Sequence, residues 1–135
     1  MAEMDERTEC GLALASEMLG PAFGDAIRAR IEKDAFCADL ARLGMSHSYT
    51  DCWSRPGLDR RSRSLLTIGA LVGMRQPNEL KNHVKIGVAN SLSAKEIEEA
   101  LIQLSTYVGF PAIATAITAA QEALQEIDML PPEKA

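Results

Sequence analysis

Apolar residues return along this chain three or four positions apart almost throughout, and no stretch alternates like a strand between hairpin turns. A first helix is expected from about Asp5 to Leu19. Gly20-Pro21 closes it, since Gly stops a helix and Pro tolerates only the start of a new one. Ala22 to Glu32 reads as a short second helix. Phe36, Leu40, Leu43 and His47 follow i, i+4, i+7, i+11 spacing, one face of a helix that extends toward Trp53, with Gly44 weakening it. Ser54-Arg55-Pro56-Gly57 is a turn. Asp59 is placed to cap the next helix, whose interior from Leu65 to Val72 is apolar on nearly every side and is expected to be central and buried all round. Pro77 suits the first turn of a helix running to about Asn90. Ser93-Ala94-Lys95-Glu96 fits a capping box, and Ile97, Leu101, Leu104 and Val108 form a core stripe behind it. Gly109 ends that helix and Pro111 starts the last. Its face carries Ile113, Ala116, Ile117, Ala120, Leu124 and Ile127, and the tail from Pro131 to Ala135 is expected to fray. The pattern predicts an all-α chain of six or seven helices forming one domain over residues 1–135.

The length of 135 residues suits one ordinary core. A net charge of −5 argues against general nucleic-acid binding, and one Trp, two Tyr and three Phe are too few for a base-stacking platform. No apolar run approaches membrane-spanning length, and the start from Met1 to Cys10 is acidic, without the order of a signal peptide. Cys10, Cys37 and Cys52 form neither a C-x-x-C pair nor a zinc spacing, so a reducing cytoplasm is expected. Two histidines without a third make a metal site improbable.

Three places could carry chemistry. The segment Trp53 to Arg63 holds four arginines in an acidic chain. Arg55 on a rigid Pro-Gly turn beside Trp53 reads either as an anion clamp or as part of a solvated helix start; Arg60 and Arg61 fit the solvated reading better. Glu79 and His83 are one helical turn apart and share a face. A neighbouring carboxylate orients an imidazole and raises its pKa, as a general acid near neutrality needs, although this spacing also arises by chance. His47 lies on the apolar stripe, where a packed histidine is the simpler reading. Cys52, next to Trp53, has no evident base to activate it.

The order Trp53-x-Arg55-Pro56-Gly57-Leu58, Arg63-Ser64-Leu65-Leu66-Thr67-Ile68, Glu79-Leu80-x-x-His83, Glu96-Ile97-x-Glu99 and Tyr107-x-Gly109-x-Pro111-Ala112 resembles the carboxymuconolactone decarboxylase family, with the best-matching core over residues 53–127. The resemblance implies an all-α, alkylhydroperoxidase D-like fold assembled as a homotrimer or homohexamer. It also implies a cofactor-free decarboxylation of a small anionic lactone, 4-carboxymuconolactone, in aromatic-compound catabolism. Arg55 would hold a substrate carboxylate and His83, supported by Glu79, would act as proton donor or oxyanion partner. Trp53, Tyr49, His47 and Tyr107 would line the substrate. Peroxidase members of the superfamily carry a Glu, a C-x-x-C pair and a His where this chain has Ser64, Gln76, Glu79 and His83, so a dithiol cycle is disfavoured. The chain departs from typical decarboxylases between His47 and Trp53, where Y-x-W-G-x-x-W is usual, and in having Asn90-Ser91 for N-G. Asn90 tolerates the left-handed conformation that such a turn needs. These departures leave open a differently specific or non-catalytic binding protein.

Overall fold

The computed structural model describes residues 4–133, so the first residues of the acidic start and the tail residues Lys134 and Ala135 lie outside the described residues. Among the described residues there are seven α-helices, one π-helical segment and no strand. The chain forms two compact units that divide between Leu58 and Asp59.

The first unit contains α1 (Glu6–Leu19), α2 (Pro21–Glu32), α3 (Ala38–Leu43) and the π segment Gly44–Trp53. Asp5 caps α1 by accepting from the Thr8 N–H at 2.7 Å, and Gly20 turns the chain at φ 95°. Arg28 of α2 donates both guanidinium arms to the Glu9 carboxylate, at 2.7 and 2.6 Å. That fork holds the Glu9 carboxyl below its ordinary range. The π segment packs mainly on α1. Thr50 Oγ1 donates to the Arg7 carbonyl at 2.6 Å, and Arg7 also pairs with Asp51. Met45, Tyr49 and Trp53 form the buried face of the segment.

The expected stripe is corrected here. Phe36 is 90 % exposed, Leu40 and Leu43 are exposed, and the His47 side chain also faces solvent. The helix breaks at Gly44 into a wider coil with i→i+5 bonds, such as Ser54 N–H to the Tyr49 carbonyl at 3.2 Å. That widening rotates the later residues relative to α3, so the buried set is not the one an unbroken α-helix would give.

The second unit contains α4 (Arg60–Gly73), α5 (Pro77–Ala89), α6 (Ala94–Val108) and α7 (Phe110–Glu126). Asp59 accepts from the Ser62 N–H at 2.6 Å, and both bonds of the Ser93–Glu96 capping box form. The core joins Ile68 and Val72 of α4, Leu80 and Val84 of α5, Ile97 and Leu101 of α6, and the small-residue face of α7. Alanines on α7 let its neighbours approach closely. Lys81 and Lys85 of α5 bind Glu126 of α7 at 2.8 and 2.5 Å, which holds the Glu126 carboxyl down at about 2.

Two expectations change. Helix α4 is not buried all round: Ser64, Ile68 and Val72 are inside, while Leu66 is 68 % exposed. At the exposed tail, Gln125 Nε2 donates to the Pro131 carbonyl at 3.3 Å and Gln121 Nε2 to Glu133 at 2.7 Å. Asn90 sits at φ −92°, and the left-handed residue is Ser91 at φ 78°. A side chain in that region costs roughly 1 kcal/mol that glycine avoids. Ser91→Gly is therefore expected to raise stability by about 1 kcal/mol, read as a higher midpoint in urea; an unchanged or lower midpoint refutes the strain.

Candidate active site

Pro77 at the first helical position and the buried pair Leu80 and Val84 fix which side of α5 faces the core. Glu79 is exposed and His83, one turn later, is half-buried, with its Nδ1 shielded from solvent. Burial lowers the His83 pKa below 6.5, and the Glu79 charge acts the other way without overcoming it. The expectation of a raised pKa is thus reversed. The ring is mainly neutral at pH 7, suited to donating one N–H to a developing oxyanion rather than to acting as a standing imidazolium acid.

In the first unit, Tyr49 and Trp53 are buried on one side of the π segment. His47 lies outside that set, 3.5 Å from Asp51. Arg55 follows on the exposed Pro-Gly turn, its N–H bonded to the Cys52 carbonyl at 3.2 Å. In the second unit Tyr107, near the end of α6, is 79 % exposed. Arg61, read as solvated, pairs with Glu96. Cys10 and Cys37 are exposed and Cys52 half-buried, all three unbridged.

Two features escape a reading of motifs. The first is a buried hydrogen bond from Asn90 Nδ2 to Ser64 Oγ at 3.0 Å, joining α5 to α4. Nothing in the sequence singles it out: Ser64 stands where the arginine-rich start of α4 meets its apolar run, two residues after Ser62, and only its burial calls for a partner. The second is a groove of about 680 Å³ between α6 and α7, lined mostly by apolar side chains such as Leu101, Ile113 and Leu124. The ammonium at that groove, Lys95, already serves Glu98 and Glu99 at 2.7 and 3.6 Å. A dianion finds little there to bind. Among the described residues no group of three or more His, Cys, Asp or Glu is placed to hold a metal ion, and no helix is long and apolar enough to cross a membrane.

An all-α protein with a half-buried histidine and a carboxylate one turn before it on α5 is the class that fold and site define. The family profile for carboxymuconolactone decarboxylases matches residues 38–122, more than half of the chain, and the protein belongs to that family. It is 29 % identical over 127 residues to 4-carboxymuconolactone decarboxylase of Acinetobacter baylyi, covering 94 % of this chain and 93 % of that one. It is also 36 % identical over 75 residues to nitrosuccinic acid decarboxylase of Metarhizium robertsii, covering 56 % of this chain and 52 % of the relative. Both similarities support carboxy-lyase chemistry in general.

Proposed function

We propose that this protein is a carboxy-lyase for small di-acids in which the departing carboxylate adjoins an electron sink. 4-Carboxymuconolactone is the first candidate, with 3-oxoadipate enol-lactone as product, in aromatic-compound catabolism. The observation that carries the reading is the similarity to a 4-carboxymuconolactone decarboxylase along nearly the whole of both chains. The second relative, named for nitrosuccinic acid, fits the same class, since a nitro group can take up an electron pair as a conjugated lactone carbonyl can.

The carbon–carboxylate bond breaks, its electron pair enters the conjugated ring, and the lactone carbonyl oxygen takes the charge as CO₂ leaves. A proton from the medium then adds to carbon and restores the lactone. The step needs no cofactor in principle. His83 donates a hydrogen bond to the oxygen as charge builds, with Glu79 orienting the ring. Arg55 holds the carboxylate that stays. Tyr49 and Trp53, which are buried, and His47 and Tyr107, which are exposed, are the side chains assigned to the substrate's surroundings.

We place this chemistry in one domain that works in the cytoplasm as a homotrimer or homohexamer. The number of large apolar side chains left exposed, among them Leu66, Met74, Tyr107 and Phe110, supports cover by further subunits. Incubation with 4-carboxymuconolactone, followed by CO₂ release, tests the function. Turnover is expected, with Arg55→Ala raising KM more than it lowers kcat. Lactone binding measured by calorimetry without any turnover would instead favour a binding protein, the reading motivated by the unusual stretch from His47 to Trp53.

A further inference from the structure

The buried residues of α4 are Ser64, Ile68 and Val72, spaced i, i+4, i+8 along one line. Opposite them lie Gly87 of α5 and Asn90, which caps its end, and His83 stands one turn before Gly87 in the same i, i+4, i+7 series. Two rungs of this antiparallel ladder are fixed by contact. Asn90 Nδ2 donates to Ser64 Oγ at 3.0 Å, with both residues buried. At Gly87 an added Cβ would meet Ile68 Cδ1 of α4 at 3.5 Å, an ordinary contact distance, and would press on Leu92 Cδ1, beyond the end of α5, at 2.9 Å. Carried one turn further, the same register sets His83 toward Val72.

The apolar rungs set the spacing of the two helices by interdigitation, but a single dispersion contact has no strong direction. A hydrogen bond between buried partners does have one, and breaking it leaves a polar group with no water to turn to. Sliding α5 along α4 would therefore break the Ser64–Asn90 bond, the buried polar contact between these two elements. We infer that Ser64 and Asn90 are positioning residues for His83: their bond sets the register of α5 on α4, and with it the depth and direction of the imidazole. This rests on the role given to His83 above. It adds two residues that touch no reacting atom and act through the helix.

Ser64→Ala removes the acceptor and leaves the Asn90 amide buried. The double variant S64A/N90L replaces both partners by apolar groups, which restores packing without restoring direction. In proton NMR of the full chain, Ser64→Ala is expected to displace and broaden the His83 ring resonance. The ring resonance of His47, on the π segment, stays in place as an internal reference. With 4-carboxymuconolactone as substrate, kcat should fall between about ten- and a hundredfold at nearly constant KM, the scale of a misplaced catalytic group. The double variant should regain the thermal midpoint but neither the resonance nor kcat. A His83 resonance at its wild-type position in Ser64→Ala, or one restored together with stability in the double variant, overturns the inference. Should the wild type not act on the lactone while the resonance still moves, the positioning stands and the assigned reaction fails, so the two ideas are separately exposed.

Discussion

Gly11→Ala is expected to destabilise the protein by about 3 kcal/mol, although alanine is the better helix former by roughly 1 kcal/mol. Gly11 lies inside α1, buried against Met45 and Thr50 of the π segment. A methyl group built on it would stand 2.5 Å from the Met45 carbonyl carbon, closer still to the carbonyl oxygen, and 3.0 Å from Thr50 Oγ1. The first two atoms are backbone and cannot rotate away. Relief requires α1 to back off from the segment, which would loosen the Thr50 bond to the Arg7 carbonyl and the Arg7–Asp51 pair. Gly24 is the useful contrast: the clash there is with the Ser16 Oγ, the end of a side chain that can turn. Gly24→Ala should therefore cost far less than Gly11→Ala. Urea unfolding followed by circular dichroism reads both, and a Gly11→Ala midpoint at or above that of the wild type would show that α1 is not held at this distance.

Much of this architecture is legible because its signals are local. Asp59 and Ser93 announce helix starts by the bonds their own side chains make three residues on, and Gly20 and Gly109 announce ends because each stands at positive φ. Glu79 and His83 are readable as neighbours because one turn of helix brings them together. What periodicity does not carry is whether anything covers a face. Phe36, Leu40 and Leu43 look like a core stripe and are exposed, and Leu66 interrupts a helix that reads as buried all round. The π segment is hidden for a related reason. Its widened coil depends on packing against α1 at Gly11, more than thirty residues earlier, and no residue within Gly44–Trp53 encodes that partner. The direction of the His83 pKa shift fails in the same way. The charge of Glu79 is local and visible, whereas the burial that outweighs it is tertiary. Ser64 is hidden in the same way: it borders an arginine-rich stretch, and both its burial and its partner Asn90, twenty-six residues away, are found only in three dimensions.

His83→Gln is expected to lower kcat on the true substrate by about a hundred- to ten-thousandfold, the range for removing a group that stabilises charge or moves a proton in the transition state. Glutamine keeps an N–H donor but not its position, so the larger loss belongs to His83→Ala. The pH dependence separates the two chemical roles open to the ring. Burial depresses the His83 pKa below 6.5, so the neutral form predominates at pH 7 and above. If the neutral ring is the active form, as an oxyanion partner, activity is level above 6.5 and falls on the acid side as the ring takes up a proton. If the imidazolium were the active form, activity would instead fall as pH rises through the same pKa. The stability linkage has a definite sign as well. With the folded pKa lowered, the unfolded chain binds more protons between the two values, so stability is complete above 6.5 and declines as pH falls toward the folded pKa. His83→Gln should remove that part of the decline along with the acid limb of activity. A pH–rate profile measured on kcat, beside urea midpoints at the same pH values, reads both effects. An alkaline rather than acidic loss of activity assigned to His83 would return the ring to the role of proton donor and end the oxyanion assignment.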